Sequence, residues 1–422
     1  MKNAPAKTQQ YTAYLAWFVV ALFYFYQYIL RVAPGIMVDE LRETFQLTAQ
    51  QFSTLGAYYL YAYALCQIPL GVLVDRIGVR RTVLGSLILC IVGTLLLASA
   101  ESLWVAQVSR LLVGVGSAAS FMCALKMVID NFPPGSRGFL MGATLTLGTL
   151  GALFAGKPLV VLIDSFGWRY ALYIAALAGV FMGGAVFWGL RNQTDTHESA
   201  PTFHVGEMLL SVWAVLKNRS VMWYAILAIA VYTPLSVVAD LWGVAFLMQK
   251  YQLPRAQAAS ITMMMYFGLA IGCLVLPWLS EKYHVLNRTI RFCTIGVFVI
   301  FAFVLYGPAI SSEALTGTLI LLGIICGAEM LCFTGASEHA TAKNAGTILG
   351  VVNTLNMLGG GILQHFIGFT LDLFWGGTLQ ADGVRFYSTQ DYTIALSVLL
   401  VVVGVCIVLS FRLPRDRASH ID

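Results

Sequence analysis

The sequence predicts an all-α integral membrane protein, with twelve transmembrane helices in two pseudo-symmetric six-helix halves. Three observations carry this: a composition that water cannot solvate, a regular series of long apolar runs, and an internal repeat. Of 422 residues, 59% are hydrophobic and 11% charged, against about 45–50% and about 25% in an ordinary globular domain. With 25 basic and 20 acidic residues, a chain of this size cannot cover itself with polar side chains, which excludes an ordinary soluble enzyme. The net charge of +5 falls in short basic runs between apolar segments, a pattern of membrane orientation rather than of nucleic-acid binding.

A bilayer core takes about 20 apolar residues per helix. Runs of that length, broken by Gly, Pro and charge clusters, lie at 12–34, 52–74, 82–99, 104–129, 139–164 and 168–190. After a polar stretch they resume at 221–247, 257–279, 290–308, 315–337, 345–371 and 392–411. The first run is too long for a cleavable signal and lacks a small-residue cleavage site. The cysteines (Cys66, Cys90, Cys123, Cys273, Cys293, Cys326, Cys332 and Cys406) lie inside apolar runs with no CxxC pair, so they read as packing residues. Neither a metal nor another cofactor is expected.

With the N-terminus inside, Lys2, Lys7, Arg76, Arg80, Arg81, Arg137, Arg191, Lys217, Arg219, Lys282, Arg288, Arg291, Lys343, Arg412, Arg415 and Arg417 fall on the cytoplasmic side. The other side receives Arg42, Arg169, Lys250, Arg255 and Arg385. The positive-inside rule therefore places both termini in the cytoplasm. The expected division is a first half at 1–190, a cytoplasmic linker at 191–219 and a second half at 220–422.

A shift of 208 residues lays span 5 on span 11 without a gap. Gly138, Gly142, Thr146, Leu147, Leu150, Gly151 and Asp164 then fall on Gly346, Gly350, Thr354, Leu355, Leu358, Gly359 and Asp372. A shift of 206 lays Gly71, Asp75 and Arg76 on Pro277, Glu281 and Lys282. Two separate stretches giving nearly one period argue for duplicated halves, the build of many secondary transporters.

The loop after span 2 reads Gly71-Val72-Leu73-Val74-Asp75-Arg76-Ile77-Gly78-Val79-Arg80-Arg81. Span 4 carries Arg110-Leu111-Leu112-Val113-Gly114-Val115-Gly116, and Phe132-Pro133-Pro134-Gly135-Ser136-Arg137-Gly138 and Phe166-Gly167-Trp168-Arg169 follow. These phrases resemble the signatures of the major facilitator superfamily, with Val79 standing where many members have a basic residue. The resemblance covers nearly the whole chain, and implies that family's fold and a gating role for Gly71, Asp75, Arg76, Gly78, Arg80 and Arg81. The spaced-glycine signature of drug antiporters is not reproduced by Gly148, Gly151, Gly156, Lys157 and Pro158. On the residues alone, Gly71 would allow close helix approach, while Asp75 could pair with a cation or a helix N-terminus.

A charge at the centre of a span costs about 2.5–3.5 kcal/mol on insertion scales, so each one calls for a reason. The in-span charges are Arg31, Arg110, Lys126, Lys157, Asp240 and Glu329, with His365 a titratable neutral. Tyr24, Gln27, Tyr28 and Arg31 share one helical face, as do Tyr59, Tyr63 and Gln67, and Tyr232, Ser236 and Asp240. Span 11 adds Asn353, Asn356 and Gln364. By residue counting, Lys157 lies about 7 Å outward of its span's middle and Lys126 about 12 Å inward of its own. The expected solute site comprises Lys126, Lys157, Arg31, Tyr24, Gln27, Tyr28, Tyr59, Tyr63, Tyr232, Asn353 and Asn356. Asp240, Glu329, Arg110 and His365 are the coupling or salt-bridge candidates. For single polar residues the alternative is interhelical hydrogen bonding, and for Arg31 and Lys126 it is snorkelling to the interface.

The expectation is a monomeric secondary transporter of the bacterial inner membrane, moving a small anionic or zwitterionic solute, with or without a proton. The resemblance also extends to the branch containing lysosomal dipeptide facilitators, which makes a dipeptide uniporter the alternative. A solute sensor on the same fold is a third reading. No catalytic motif or loop long enough for a catalytic domain is present, so an enzyme is not expected.

Overall fold

Residues 6–191, 205–341, 344–413 and 416 are described by the computed structural model. Lys2, Lys343, Arg415, Arg417 and the middle of the expected linker lie outside the described residues. The first half runs α1 (Ala6–Ile36), α2 (Val38–Phe45), α3 (Ala49–Ala98), α4 (Leu103–Asn131), α5 (Pro134–Phe154), α6 (Lys157–Phe166) and α7 (Trp168–Gly189). After the linker helix α8 (Val205–Lys217), the second half runs α9 (Arg219–Pro234), a π-helical turn (Leu235–Trp242), α10 (Gly243–Tyr251), α11 (Arg255–Tyr283) and α12 (Leu286–Tyr306). It ends with α13 (Ser312–Cys326), α14 (Glu329–Ser337), α15 (Ala345–Leu373) and α16 (Thr389–Ser410).

Eleven segments among the described residues are long and apolar enough to cross a bilayer, and the first arm of α3, residues 49 to 77, supplies the twelfth crossing. Spans 2 and 3 run together as α3, bent at Gly78, whose φ of 82° and ψ of 163° suit a residue without Cβ. Three crossings depart from the continuous helices expected. Span 5 breaks between α5 and α6, where Pro158 has no N–H to return to the preceding turn. Span 7 widens into the π-helical turn just after Pro234. Span 10 breaks between α13 and α14 at Gly327. The expected polar linker also contains a helix, α8, tied to α15 through Ser211 and Thr347 at 3.4 Å.

The end of the bundle beside α8 is here called the linker end and the opposite one the distal end. The halves meet along two seams, α3 against α15 and α5 against α11, with α1 lying on the π-helical turn. Glycine makes the α3–α15 seam close. A Cβ on Gly368 would lie 2.6 Å from the Ala49 carbonyl, and one on Gly361 2.6 Å from the Tyr61 ring. Toward the linker end the seam loosens, and a Cβ on Gly350 would meet Ile68 at an ordinary 3.5 Å. The cysteines are free thiols, all buried but the half-buried Cys66, which fits the packing role expected of them.

Candidate functional site

The centre of the bundle is organised by Pro34. It lacks the N–H that would bond the Leu30 carbonyl in α1, and Arg110 of α4 takes that carbonyl through Nη1 at 2.9 Å. Arg110 also donates to the carbonyls of Leu55 at 3.0 Å and Arg31 at 3.3 Å, with its guanidinium 4.9 Å from the Tyr59 ring. Its charge is spent on backbone oxygens, so Arg110 positions α1 and α3.

That strap presents Arg31 to the second half. Arg31 donates to Asp240 Oδ2 through Nη2 at 2.6 Å and Nε at 2.9 Å, and to Tyr232 Oη at 2.5 Å. Tyr266 of α11 donates to the other Asp240 oxygen. Asp240 lies in the π-helical turn, a distortion that recurs at functional sites. The Tyr28 and Tyr232 rings flank Arg31, each with its centroid 5.7 Å from the guanidinium carbon, and Tyr28 stacks edge-on against Tyr266. Tyr24 and Tyr28 share a hydroxyl contact at 3.3 Å, and Tyr59 donates to Gln27 Oε1 at 2.7 Å and stacks on Tyr63. Arg31, Asp240, Tyr232, Tyr266 and Tyr28 are all buried.

On α14, Glu329 accepts a hydrogen bond of 2.5 Å from Asn356 of α15. It is buried and within electrostatic reach of Arg31. Asn353 bonds Gln67 across the halves at 2.6 Å, and Thr354 donates to the Ala64 carbonyl at 3.2 Å.

Not every expected residue joins this centre. Lys126 pairs with Asp75 at 2.9 Å and Asp130 at 3.4 Å, so its charge is matched within the first half at the linker end. Lys157 is exposed as the first residue of α6. His365 faces Gln50 at 3.4 Å, on the α3–α15 seam. Counting residues gave the depth of each lysine but not the direction it faces around its helix. In the expected gating loop, Asp75 meets Lys126, and Arg80 donates to the Phe187 carbonyl at 3.3 Å while stacking on its ring. Arg81 is exposed, and Gly78 makes the turn. At Gly71 a Cβ would meet only Met122 Sδ at 3.8 Å, so the close approach expected there is absent.

The distal end carries a set of contacts that sequence reasoning missed. Arg255 pairs with Glu40 and lies 3.8 Å from Asp164, joining α11 to α2 and α6. Asp372 accepts from the backbone N–H groups of Ala49 at 3.1 Å and Gln50 at 2.9 Å, the free N-terminus of α3, where a carboxylate is stabilised. Arg385 at 3.0 Å and Tyr387 hold the same carboxylate. Burial, and then Asp372 beside it, push the Tyr387 phenol above its ordinary value, keeping it a donor. The repeat carried a signal for this: Asp164 and Asp372 are equivalent, and each reaches the first turn of a helix in the other half.

A family model described as Major Facilitator Superfamily matches residues 16–363. The chain is 24% identical to an uncharacterized transporter, YybO, of Bacillus subtilis, over 91% of this chain and 94% of that one. It is also 24% identical to the hexuronate transporter of Bacillus subtilis, over 86% of this chain and 89% of that one. Its fold matches a bacterial homologue of the human lysosomal transporter Spinster, in an inward-facing and unoccupied conformation. That match has a TM-score of 0.77 at 17% identity and covers 97% of this chain and 98% of that one. The chain is a multi-pass membrane transporter rather than an enzyme, and it belongs to the Major Facilitator Superfamily.

Proposed function

We propose that this transporter moves small organic acids as their anions, by alternating access between a first half at 1–190 and a second at 220–422. The observation that carries the reading is the buried Arg31–Asp240 pair at 2.6 Å, which joins the halves at the centre of the bundle. A solute carboxylate binds by replacing Asp240 on Arg31, because the planar guanidinium suits an incoming carboxylate as well as the resident one. Tyr232, Tyr28, Tyr24, Tyr59 and Tyr63 line its surroundings, and Arg110 keeps Arg31 in place. Breaking a pair between halves while binding a ligand couples occupancy to movement. The hexuronate relative supports an acid as cargo. The zwitterionic alternative, a dipeptide carried by uniport, is favoured by Glu329, which could take an amine. Positive-inside charge supports a linker end and both termini in the cytoplasm, and the bacterial relatives support the inner membrane.

Uptake by proteoliposomes, beside ligand-induced thermal shift, tests this. Arg31→Ala should abolish transport and the stabilisation by glucuronate and other acids. Asp240→Asn should bind the acids more tightly yet turn over more slowly, since the competitor for Arg31 is weakened while the link between halves is lost. Equal stabilisation by acids and by their neutral amides would overturn the reading. Binding without any flux would leave a solute sensor.

A further inference from the structure

Resting on the reading of Arg31 as the carboxylate pole, we infer that Glu329 and Asn356 form a second pole. This pole accepts hydrogen bonds from a hydroxyl or ammonium group at the other end of the solute. Glu329 opens α14 immediately after the break at Gly327, and it accepts a hydrogen bond from Asn356 Nδ2 at 2.5 Å. Among the described residues it has no salt-bridge partner, although it is 5% exposed. Asn356 is 0% exposed, and its Oδ1 has no hydrogen-bond partner among the described residues.

A half-satisfied buried pair of this kind is costly unless something completes it. What would complete it is a donor, because the open valence is that of the Asn356 Oδ1 acceptor. Arg31 is already committed to Asp240 and Tyr232. Tyr28, Tyr63 and Tyr232 all lie within electrostatic reach of Glu329, as Arg31 does. The thiols of Cys273, Cys326 and Cys332 lie around it, also buried, and are weak donors at best. The two poles together select a carboxylate that also carries a donor, and discriminate against a plain aliphatic acid. A site built to hydrogen-bond one group rejects the analogue that lacks it far more strongly than an apolar pocket rejects a changed methylene.

The test is binding of three matched series to the purified full-length protein by thermal shift and calorimetry: plain aliphatic acids, ω-hydroxy acids and ω-amino acids of graded chain length, with glucuronate beside them. In the wild type a hydroxy or amino acid of fitting length should bind at least about tenfold more tightly than the plain acid. Glu329→Gln keeps one acceptor oxygen but loses the charge, so it should cut that advantage most for the amino series and leave the plain acid unchanged, which also shows that the variant is folded. Should Glu329→Gln not fold, Asn356→Ser carries the same test. Preference for the hydroxy series names a hydroxylated acid, and preference for the amino series names a zwitterion. Equal binding of all three series, or an equal loss of all three in a folded Glu329→Gln, overturns the second pole and leaves the Arg31 reading standing. Acid binding that survives Arg31→Ala fails the Arg31 reading instead.

Discussion

The two ends of the seam between the halves are built differently. At the distal end, glycines bring α3 and α15 nearly into backbone contact, and a Cβ on Gly368 would lie 2.6 Å from the Ala49 carbonyl. The same end is tied by carboxylates, Asp372 on the first N–H groups of α3 and Glu40 on Arg255. Toward the linker end the halves are joined by neutral amide and hydroxyl contacts, Asn353 to Gln67 and Thr354 to the Ala64 carbonyl. There the Lys126–Asp75 ion pair stays within one half. A seam shut by close packing and charge at one end, and by a few neutral bonds at the other, needs less to part at the second. Glycine packing and charge together make the distal end the tighter of the two.

The largest expected effect comes from filling the close end. Gly368→Val puts side-chain atoms where Ser53 and the Ala49 carbonyl already stand, and overpacking of this kind costs about 1–3 kcal/mol. At about tenfold per 1.4 kcal/mol, the distal end should then be found open about five- to hundredfold more often. Electron-spin distance measurements between labels at Glu43 and Asp382 would report this as a longer distal separation. Gly350→Ala is the matched control at the loose end. With Ile68 at 3.5 Å, it should leave both distance and transport near wild type, and an equal effect of the two substitutions would erase the contrast.

Asp372→Asn should rank second. It removes a charge from the α3 N-terminus and from Arg385, and a carboxylate at such a position contributes about 0.3–1 kcal/mol, up to about 2 where partly buried. The same labels should show a smaller shift toward the open distal end. An unchanged distance distribution would make this contact incidental.

The smallest effect should come from Asp75→Asn. Its partner Lys126 is 32% exposed and Asp75 itself 64%, and exposed pairs are worth about 0–1 kcal/mol. Transport should slow by a few-fold with solute affinity nearly unchanged. A large loss of affinity at normal turnover would place Asp75 at the solute instead.

Most of the fold was legible in the sequence, because lipid imposes a length and a polarity on every crossing. The apolar runs gave the spans, and the 208-residue repeat gave the duplication. The centre was partly legible. Arg31, Tyr232, Asp240, Glu329 and Asn356 stood out as polar groups on apolar helices, and the structure gathers them around one core. Tyr266 did not stand out, since a lone tyrosine in span 8 looks like any packing aromatic until its hydroxyl is seen on Asp240. Lys126 and Lys157 stood out as well, yet the structure places Lys126 beside Asp75 and Lys157 exposed at the start of α6, both outside this core. A charge deep in a span marks a need for a partner, and periodicity within one helix cannot show that Asp75 of another helix meets it. Arg110 matched a family phrase, but its role follows from a carbonyl that Pro34 leaves unbonded, which only the packing of α4 on α1 reveals.

The π-helical turn at Leu235–Trp242 carries one more consequence. Such a turn holds one residue more than an α-helical turn, and restoring α geometry rotates everything beyond it by about 100° around the helix axis. Asp240 sits inside that turn, so its grip on Arg31 and the winding of its helix are one variable. A solute carboxylate that displaced Asp240 from Arg31 would therefore act directly on the winding of this span.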